Sequence, residues 1–419
     1  MESTLTYAQQ CDEKDPLRGY REKFHLPMQN NGEPYIYLCG NSLGLQPKST
    51  EDALMQELKD WKNLGVEGHF HAKNPWMPYH EFLTAHMATI VGAKPIEVVV
   101  MNTLSVNLHL LMASFYRPTE SRYKILMEVD AFPSDRYAIE SQLHFHGHPD
   151  GLLILKPRAG EVLLREEDIM QTIREQGDEI ALILIGNPNY YTGQVFDIKA
   201  IASLGHEKGC KVGFDLAHGA GNLPLELHDS GIDFAAWCTY KYLNSGPGSV
   251  GGCFIHERHA HDFDLPRFAG WWGHNKETRF KMRDGFDPIP GAEGWQLSNP
   301  PILSLAAIKA SLEIFAEVGM PALLEKAKAL TGFLEFCLND MEDDRIRIVT
   351  PEDPKQRGCQ LSIQVLNADK TLFEKITAEG VIADWREPDV IRVAPVPLYN
   401  SYADVYRFAE TLKVALIDL

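Results

Sequence analysis

Two apolar runs in this chain end in side chains that do chemistry. Asp215 lies at the end of Lys211–Leu216, and His218 follows it in a glycine-rich loop. The next apolar run, Phe234–Thr239, leads directly into Tyr240 and Lys241. In open α/β sheets, ligands bind outside the carboxyl ends of the strands. An amine and a carboxylate at two successive strand ends are what pyridoxal phosphate chemistry demands. The lysine forms a Schiff base with the aldehyde, and the carboxylate keeps the pyridinium nitrogen protonated so that the ring accepts electrons. Taken singly, Asp215 reads as a turn cap and Lys241 as a solvated lysine. Together, with His218 and Tyr240 beside them, they read as a site.

A phosphate needs backbone amides and hydroxyls, typically at a helix N-terminus. Met101–Asn107 (MNTLSVN) opens an amphipathic helix that would supply them; read alone, it is a plain N-cap by Asn102 or Thr103. Ala131–Asp135 (AFPSD) follows another strand-like run. There Phe132 is placed to stack on a ring and Asp135 to hydrogen-bond it, or else Asp135 caps a helix. Gly246–Gly251 spells G-x-G-x-x-G, but a strand-like run follows where a dinucleotide site needs a helix. The histidines at 144, 146 and 148 and at 256, 259 and 261 have spacings that suit a metal. No HExxH or CxxC accompanies them, which favours ordinary loop and helix-end histidines.

Positioning these groups requires an α/β sheet. Short apolar runs at Tyr123–Val129, Leu152–Lys156, Ala181–Ile185, Lys211–Leu216, Phe234–Thr239 and Gly252–His256 predict strands. Helical patterns at Thr103–Phe115, Asp135–Phe145, Glu166–Glu175 and Asp197–Lys208 alternate with them, as in βαβ units. Several of the strands are continuously apolar, which suits a sheet covered on both faces. After Pro301 come long helices at Ile302–Phe315 and Leu323–Cys337. A mixed set follows: Gln360–Val365, Thr371–Glu379, Val390–Ala394 and Ala403–Leu416. We therefore expect a large domain over 81–310, a small α+β domain over 311–419, and an N-terminal segment, 1–80, packing with the small one.

These motifs carry a resemblance. GNSLGLQPK (Gly40–Lys48), MNTLSVNLHLLM (Met101–Met112), AFPSDRYAIESQ (Ala131–Gln142) and YTGQ (Tyr191–Gln194) are similar to the kynureninase family of fold-type-I pyridoxal phosphate enzymes. So are GFDLAHGAGN (Gly213–Asn222), TYKYLN (Thr239–Asn244), GWWGH (Gly270–His274), SNPPIL (Ser298–Leu303) and RVAPVPLYNS (Arg392–Ser401). The match runs in order along nearly the whole chain. It implies an aspartate-aminotransferase-like fold: a mostly parallel central sheet flanked by helices, plus a smaller α+β domain. It implies a pyridoxal 5′-phosphate enzyme that hydrolyses the Cβ–Cγ bond of L-kynurenine or its 3-hydroxy derivative, in tryptophan catabolism and NAD biosynthesis.

By the same resemblance, Lys241 is the Schiff-base lysine and Asp215 the pyridinium partner; in the implied reaction a nearby acid or base such as Tyr240 would assist collapse of the hydrated ketone. Phe132 stacks on the ring, with Asp135 and His218 alongside. Leu104, Ser105, Tyr240, Trp271 and Asn299 hold the phosphate or the ring's surroundings. Trp271 and Asn299 reach across the interface of a homodimer. Arg392 pairs with the substrate carboxylate, a task suited to arginine's planar fork. Ser42, His69 and Asn299 resemble the residues at the substrate's aromatic end, and His69, Ser298 and Asn299 match the 3-hydroxy-preferring pattern. One phosphate-binding hydroxyl of the family aligns with Gly186, so another group must replace it.

Composition narrows the partners. With 40 basic and 58 acidic residues the net charge is −18, which argues against nucleic acid or an anionic membrane as partner. No apolar run is long enough for a membrane helix, and Met1–Asp15 is acidic and polar, unlike a signal or transit peptide. Seven scattered cysteines without a CxxC pair fit a reducing cytoplasm. A cysteine desulfurase of the same superfamily is the nearest alternative. It needs a nucleophilic cysteine on a mobile loop, and Cys359 lies beside an apolar strand.

Overall fold

Every apolar run that spacing predicts as a strand becomes one in the computed structural model, which describes residues 1–282 and 284–417. Ile36–Tyr37 (β1) lies near the N-terminus. Val98–Val100 (β2), Lys124–Glu128 (β3), Leu152–Leu155 (β4), Ile180–Gly186 (β5), Lys211–Asp215 (β6), Phe234–Trp237 (β7) and Gly252–Ile255 (β8) form one sheet. Its order is β2-β8-β7-β6-β5-β3-β4. Strands β3 to β7 run parallel, while β8 is antiparallel to both β2 and β7. The spacing does not predict β2, because three consecutive valines are too few to show a period.

Alternate residues along these strands enter different cores, as the pleat requires. Leu126, Ile183, Ile185, Val212 and Phe214 pack on one face. Ile125, Met127, Leu182, Leu184 and Ala236 pack on the other. Helices Leu104–Phe115, Pro133–Phe145, Glu166–Gln176 and Ile198–Glu207 connect the strands and cover the sheet. Gly246–Gly251 leads into β8 rather than a helix, so it is a loop and not a dinucleotide motif.

The smaller sheet is antiparallel. Ile346–Ile348 (β9), Leu361–Val365 (β10), Asp384–Arg386 (β12) and Val390–Val393 (β13) follow the order β12-β13-β10-β9; Val381–Ile382 (β11) pairs in parallel with β1. Helix Met320–Asn339 buries the predicted stripe of Leu323, Ala327, Leu330, Leu334 and Cys337. Residues 1–80 touch both cores. Ala8 joins the small one, and the Asp12 carboxylate accepts the N–H groups of Tyr402 (2.7 Å) and Ala403 (3.1 Å) at the start of the last helix. Helix Ser49–Leu64 instead lies against helix Ile302–Val318, and Trp76 and Tyr79 enter the large core.

Candidate active site

Strands β3, β5, β6 and β7 are neighbours and parallel, so their carboxyl ends share one edge of the sheet. Glu128, Gly186 and Asp215 end three of them, and Tyr240 and Lys241 follow the fourth. A cavity of about 460 Å³ opens there. Ser42, Leu104, Ser105, Phe132, Asp135, Asp215, His218, Tyr240, Lys241 and Arg392 all line it. The GNSLG loop closes against Lys241: the Gly44 N–H donates to Tyr240 O (2.8 Å), and a Cβ on Gly44 would meet Lys241 O at 2.3 Å. Only glycine permits that approach.

Three buried carboxyls surround the strand ends: Glu128, Asp135 and Asp215. Asp215 Oδ1 accepts the Ala217 N–H (2.7 Å). Asp135 sits inside helix Pro133–Phe145 and caps nothing; its Oδ1 is buried without a hydrogen-bond partner. Burial, and then Asp215 beside it, push the Asp135 carboxyl well above its usual range. Glu128 is pushed up to about 8, chiefly by burial, although the Gly186 N–H reaches both its oxygens (3.1 and 3.2 Å). Spacing does not flag Glu128, yet it bears the signal that identifies Asp215: a lone carboxylate ending an apolar run.

Burial, together with Lys241, Arg392 and Arg386, holds His218 well below the usual imidazole range, so the ring is neutral. Burial raises the Tyr240 phenol, so it stays protonated. Lys241 Nζ stands 5.8 Å from the centre of the Phe132 ring.

Helix Leu104–Phe115 begins at the cavity without a side-chain cap: Thr103 occupies the N-cap position and makes no capping bond. Asn102 is turned instead toward Asn107 Oδ1 (3.1 Å). The Ser105 and Ser134 hydroxyls are hydrogen-bonded to each other (2.8 Å) on the same wall. Helix N–H groups without a side-chain cap, two hydroxyls, an unpartnered carboxyl oxygen and an amine form a set of donors and acceptors that fits pyridoxal phosphate. Gly186 stands where the resemblance expects a hydroxyl, and the Glu128 carboxyl faces that position. Ser134, which spacing does not single out, is the extra hydroxyl beside Ser105.

Arg392 is almost completely buried at the other end of the cavity. Its Nη1 donates to Tyr190 O (2.6 Å), and its Nη2 donates to Asp384. Ser42 Oγ also donates to Asp384 (2.6 Å). That bond ties the Ser42 hydroxyl to the cross-strand partner of Arg392.

Three expected residues do not line the cavity. Trp271 is 44% exposed and stacks edge-on with Phe280; Asn299 is exposed; His69 is half-buried, its Nδ1 2.9 Å from Val66 O. Cys359 is buried and its thiol is pushed up to about 12 by burial, unlike a loop nucleophile. His256 meets Glu97 and His228, whereas the Nε2 of His259 lies 2.8 Å from Asp233.

Residues 323–412 match the family model described as the kynureninase C-terminal domain. The chain is 58% identical to a kynureninase of Myxococcus xanthus, over 98% of this chain and 97% of that one. It superposes on the cysteine desulfurase CsdA of Escherichia coli with a TM-score of 0.78 at 16% identity, covering 96% and 99% of the two chains. A variant of C-DES with glycine covalently linked to its pyridoxal phosphate gives a TM-score of 0.76 at 15% identity, covering 90% and 96%. These last two similarities establish the fold.

Proposed function

The chain belongs to the kynureninase family, pyridoxal-phosphate-dependent hydrolases that split L-kynurenine, and on that premise we propose how its residues divide the work. The observation that carries the reading is the meeting of Lys241, Asp215 and Arg392 in one cavity at the sheet's carboxyl edge. When bound, pyridoxal phosphate supplies an aldehyde for the substrate's amino group and an electron sink for the charge left at Cα and Cβ.

The chain supplies the rest. Arg392 receives the α-carboxylate. Lys241 takes the Cα proton, the only role at that atom for which the cavity offers an amine. Asp215 holds the positive charge of the ring nitrogen, with its own charge supported by the Ala217 N–H. Phe132 and neutral His218 would flank the ring, and Leu104, Ser105 and Ser134 would hold the phosphate at the uncapped helix start. Water adds to the γ-carbonyl, and Tyr240, protonated, donates as the Cβ–Cγ bond breaks. The γ-carbon leaves as the carboxylate of an anthranilate, and the remainder as L-alanine.

We also propose a homodimer. Trp271 and Asn299 lie on the surface and His69 outside the cavity, which supports their delivery to the site of a second copy. His69, Ser298 and Asn299 favour 3-hydroxykynurenine as the better substrate. Among the described residues no helix is long and apolar enough to cross a membrane. With the acidic composition and seven free cysteines, this supports a cytoplasmic enzyme of tryptophan breakdown feeding NAD synthesis. The test is kcat/KM of the holoenzyme on both substrates, read by product fluorescence. A higher value for 3-hydroxykynurenine is expected; a preference for kynurenine overturns that assignment, and no turnover of either overturns the residue roles.

A further inference from the structure

Arg392 alone is an incomplete receptor for a carboxylate, because it is already paired. Its register partner across β12 and β13 is Asp384, whose Oδ2 accepts its Nη2. That pair is close to neutral, and a substrate carboxylate placed on Arg392 would sit beside a like charge. Like charges at this distance in a buried site repel.

The compensating charge is Arg386. It lies two residues from Asp384 on the same face of β12, lines the cavity, and donates to the same Oδ2 from 3.0 Å. Both guanidiniums lie against the Tyr190 ring, 5.5 Å from its centre for Arg392 and 5.8 Å for Arg386. Both are therefore fixed, by one carboxylate and one ring. The Nε atoms of both are buried and have no hydrogen-bond partner. Buried donors are rarely left unsatisfied, so the protein leaves donor capacity on both guanidiniums, and both residues line the cavity in which a ligand with two acceptor oxygens would sit.

We propose that Arg386 and Arg392 receive the substrate carboxylate together, and that Asp384 is the positioning residue that joins them. Asp384 also sets the charge of this end of the cavity: two guanidiniums against one carboxylate leave a single positive charge, matched to a substrate with one carboxylate. The inference rests on the reading that Arg392 binds that group.

The test uses the holoenzyme and two small anions, acetate and malonate, as competitors of kynurenine. Arg386→Gln raises KM about tenfold and leaves kcat within about twofold, whereas Arg386→Lys, which keeps the charge, recovers part of the loss. Asp384→Asn increases the preference for malonate over acetate about tenfold, because the site then carries two uncompensated charges. The double variant Asp384→Asn/Arg386→Gln restores one net charge and returns the preference to the wild-type value. A purely structural role would not track the charge count in this way. Thermal unfolding of each variant identifies any that fail to fold; Arg386, with a side chain 34% exposed, tolerates substitution and carries the test by itself. An unchanged KM in Arg386→Gln, or one preference shared by all folded forms, overturns the proposal. If instead Arg392→Gln leaves KM unchanged, it is the underlying reading of Arg392 that fails.

Discussion

Glu128 fills the space that a side chain at position 186 would need. A Cβ on Gly186 would stand 2.8 Å from Glu128 Oε1, and the Gly186 N–H donates to both oxygens of the same carboxyl. The glycine where relatives by resemblance carry a hydroxyl is thus tied to a particular buried acid.

Gly186→Ser should therefore destabilise the protein, by about 1–3 kcal/mol, as overpacking in a tight interior does. Calorimetry on the cofactor-free protein measures it. Combining the change with Glu128→Ala should cost less than the two single changes added together, since the residues share one space.

Glu128 also predicts a pH dependence. Its carboxyl titrates near 8 in the folded chain and near its ordinary value once unfolded, so the folded state holds a proton that the unfolded state releases between those values. The stability it contributes is present at low pH and is lost as pH rises toward 8. The cofactor-free protein should thus lose Tm between pH 5 and pH 8, and Glu128→Gln should flatten that slope. Equal slopes in the two proteins would contradict the assignment.

What was legible in the sequence was whatever a strand's own pattern exposes. Asp215 and Lys241 stand out because each follows a continuous apolar run, and the sheet's parallel order then brings them together. Glu128 ends such a run too, but KILMEV reads on as one strand, and only the neighbouring β5 turns its carboxyl into a site group. Asp384 and Arg386 are harder still. They sit on a three-residue strand too short to show a period, and their meaning comes from the register that sets Asp384 opposite Arg392. The hydrogen bond of Ser42 to Asp384 was hidden for the same reason: its partner lies more than 300 residues away. His69, Trp271 and Asn299 do not line the cavity of the single chain, and only the proposed dimer would bring them to one.

Tyr240→Phe should lower kcat on kynurenine by about 10²–10⁴ while changing KM little, since the proposed role of the phenol is to donate a proton during bond cleavage. Lys241→Ala should abolish turnover. A Tyr240→Phe enzyme with full activity would remove Tyr240 from the mechanism.

The shared site of the proposed dimer predicts complementation. Trp271→Ala and Lys241→Ala enzymes should each be impaired. When they are unfolded and refolded together, hybrid dimers should carry one intact site and recover about a quarter of wild-type activity. No recovery, with hybrids present by mass spectrometry, would place Trp271 in its own chain's site.

The central claim is hydrolysis of the Cβ–Cγ bond in the cavity of Lys241, Asp215 and Arg392, and isotope labelling tests it most directly. Holoenzyme given L-kynurenine in ¹⁸O-water should release anthranilate and L-alanine in equal amounts, with one ¹⁸O in the anthranilate carboxylate and none in alanine. Anthranilate without the label, or no anthranilate from a cofactor-loaded protein, would contradict it.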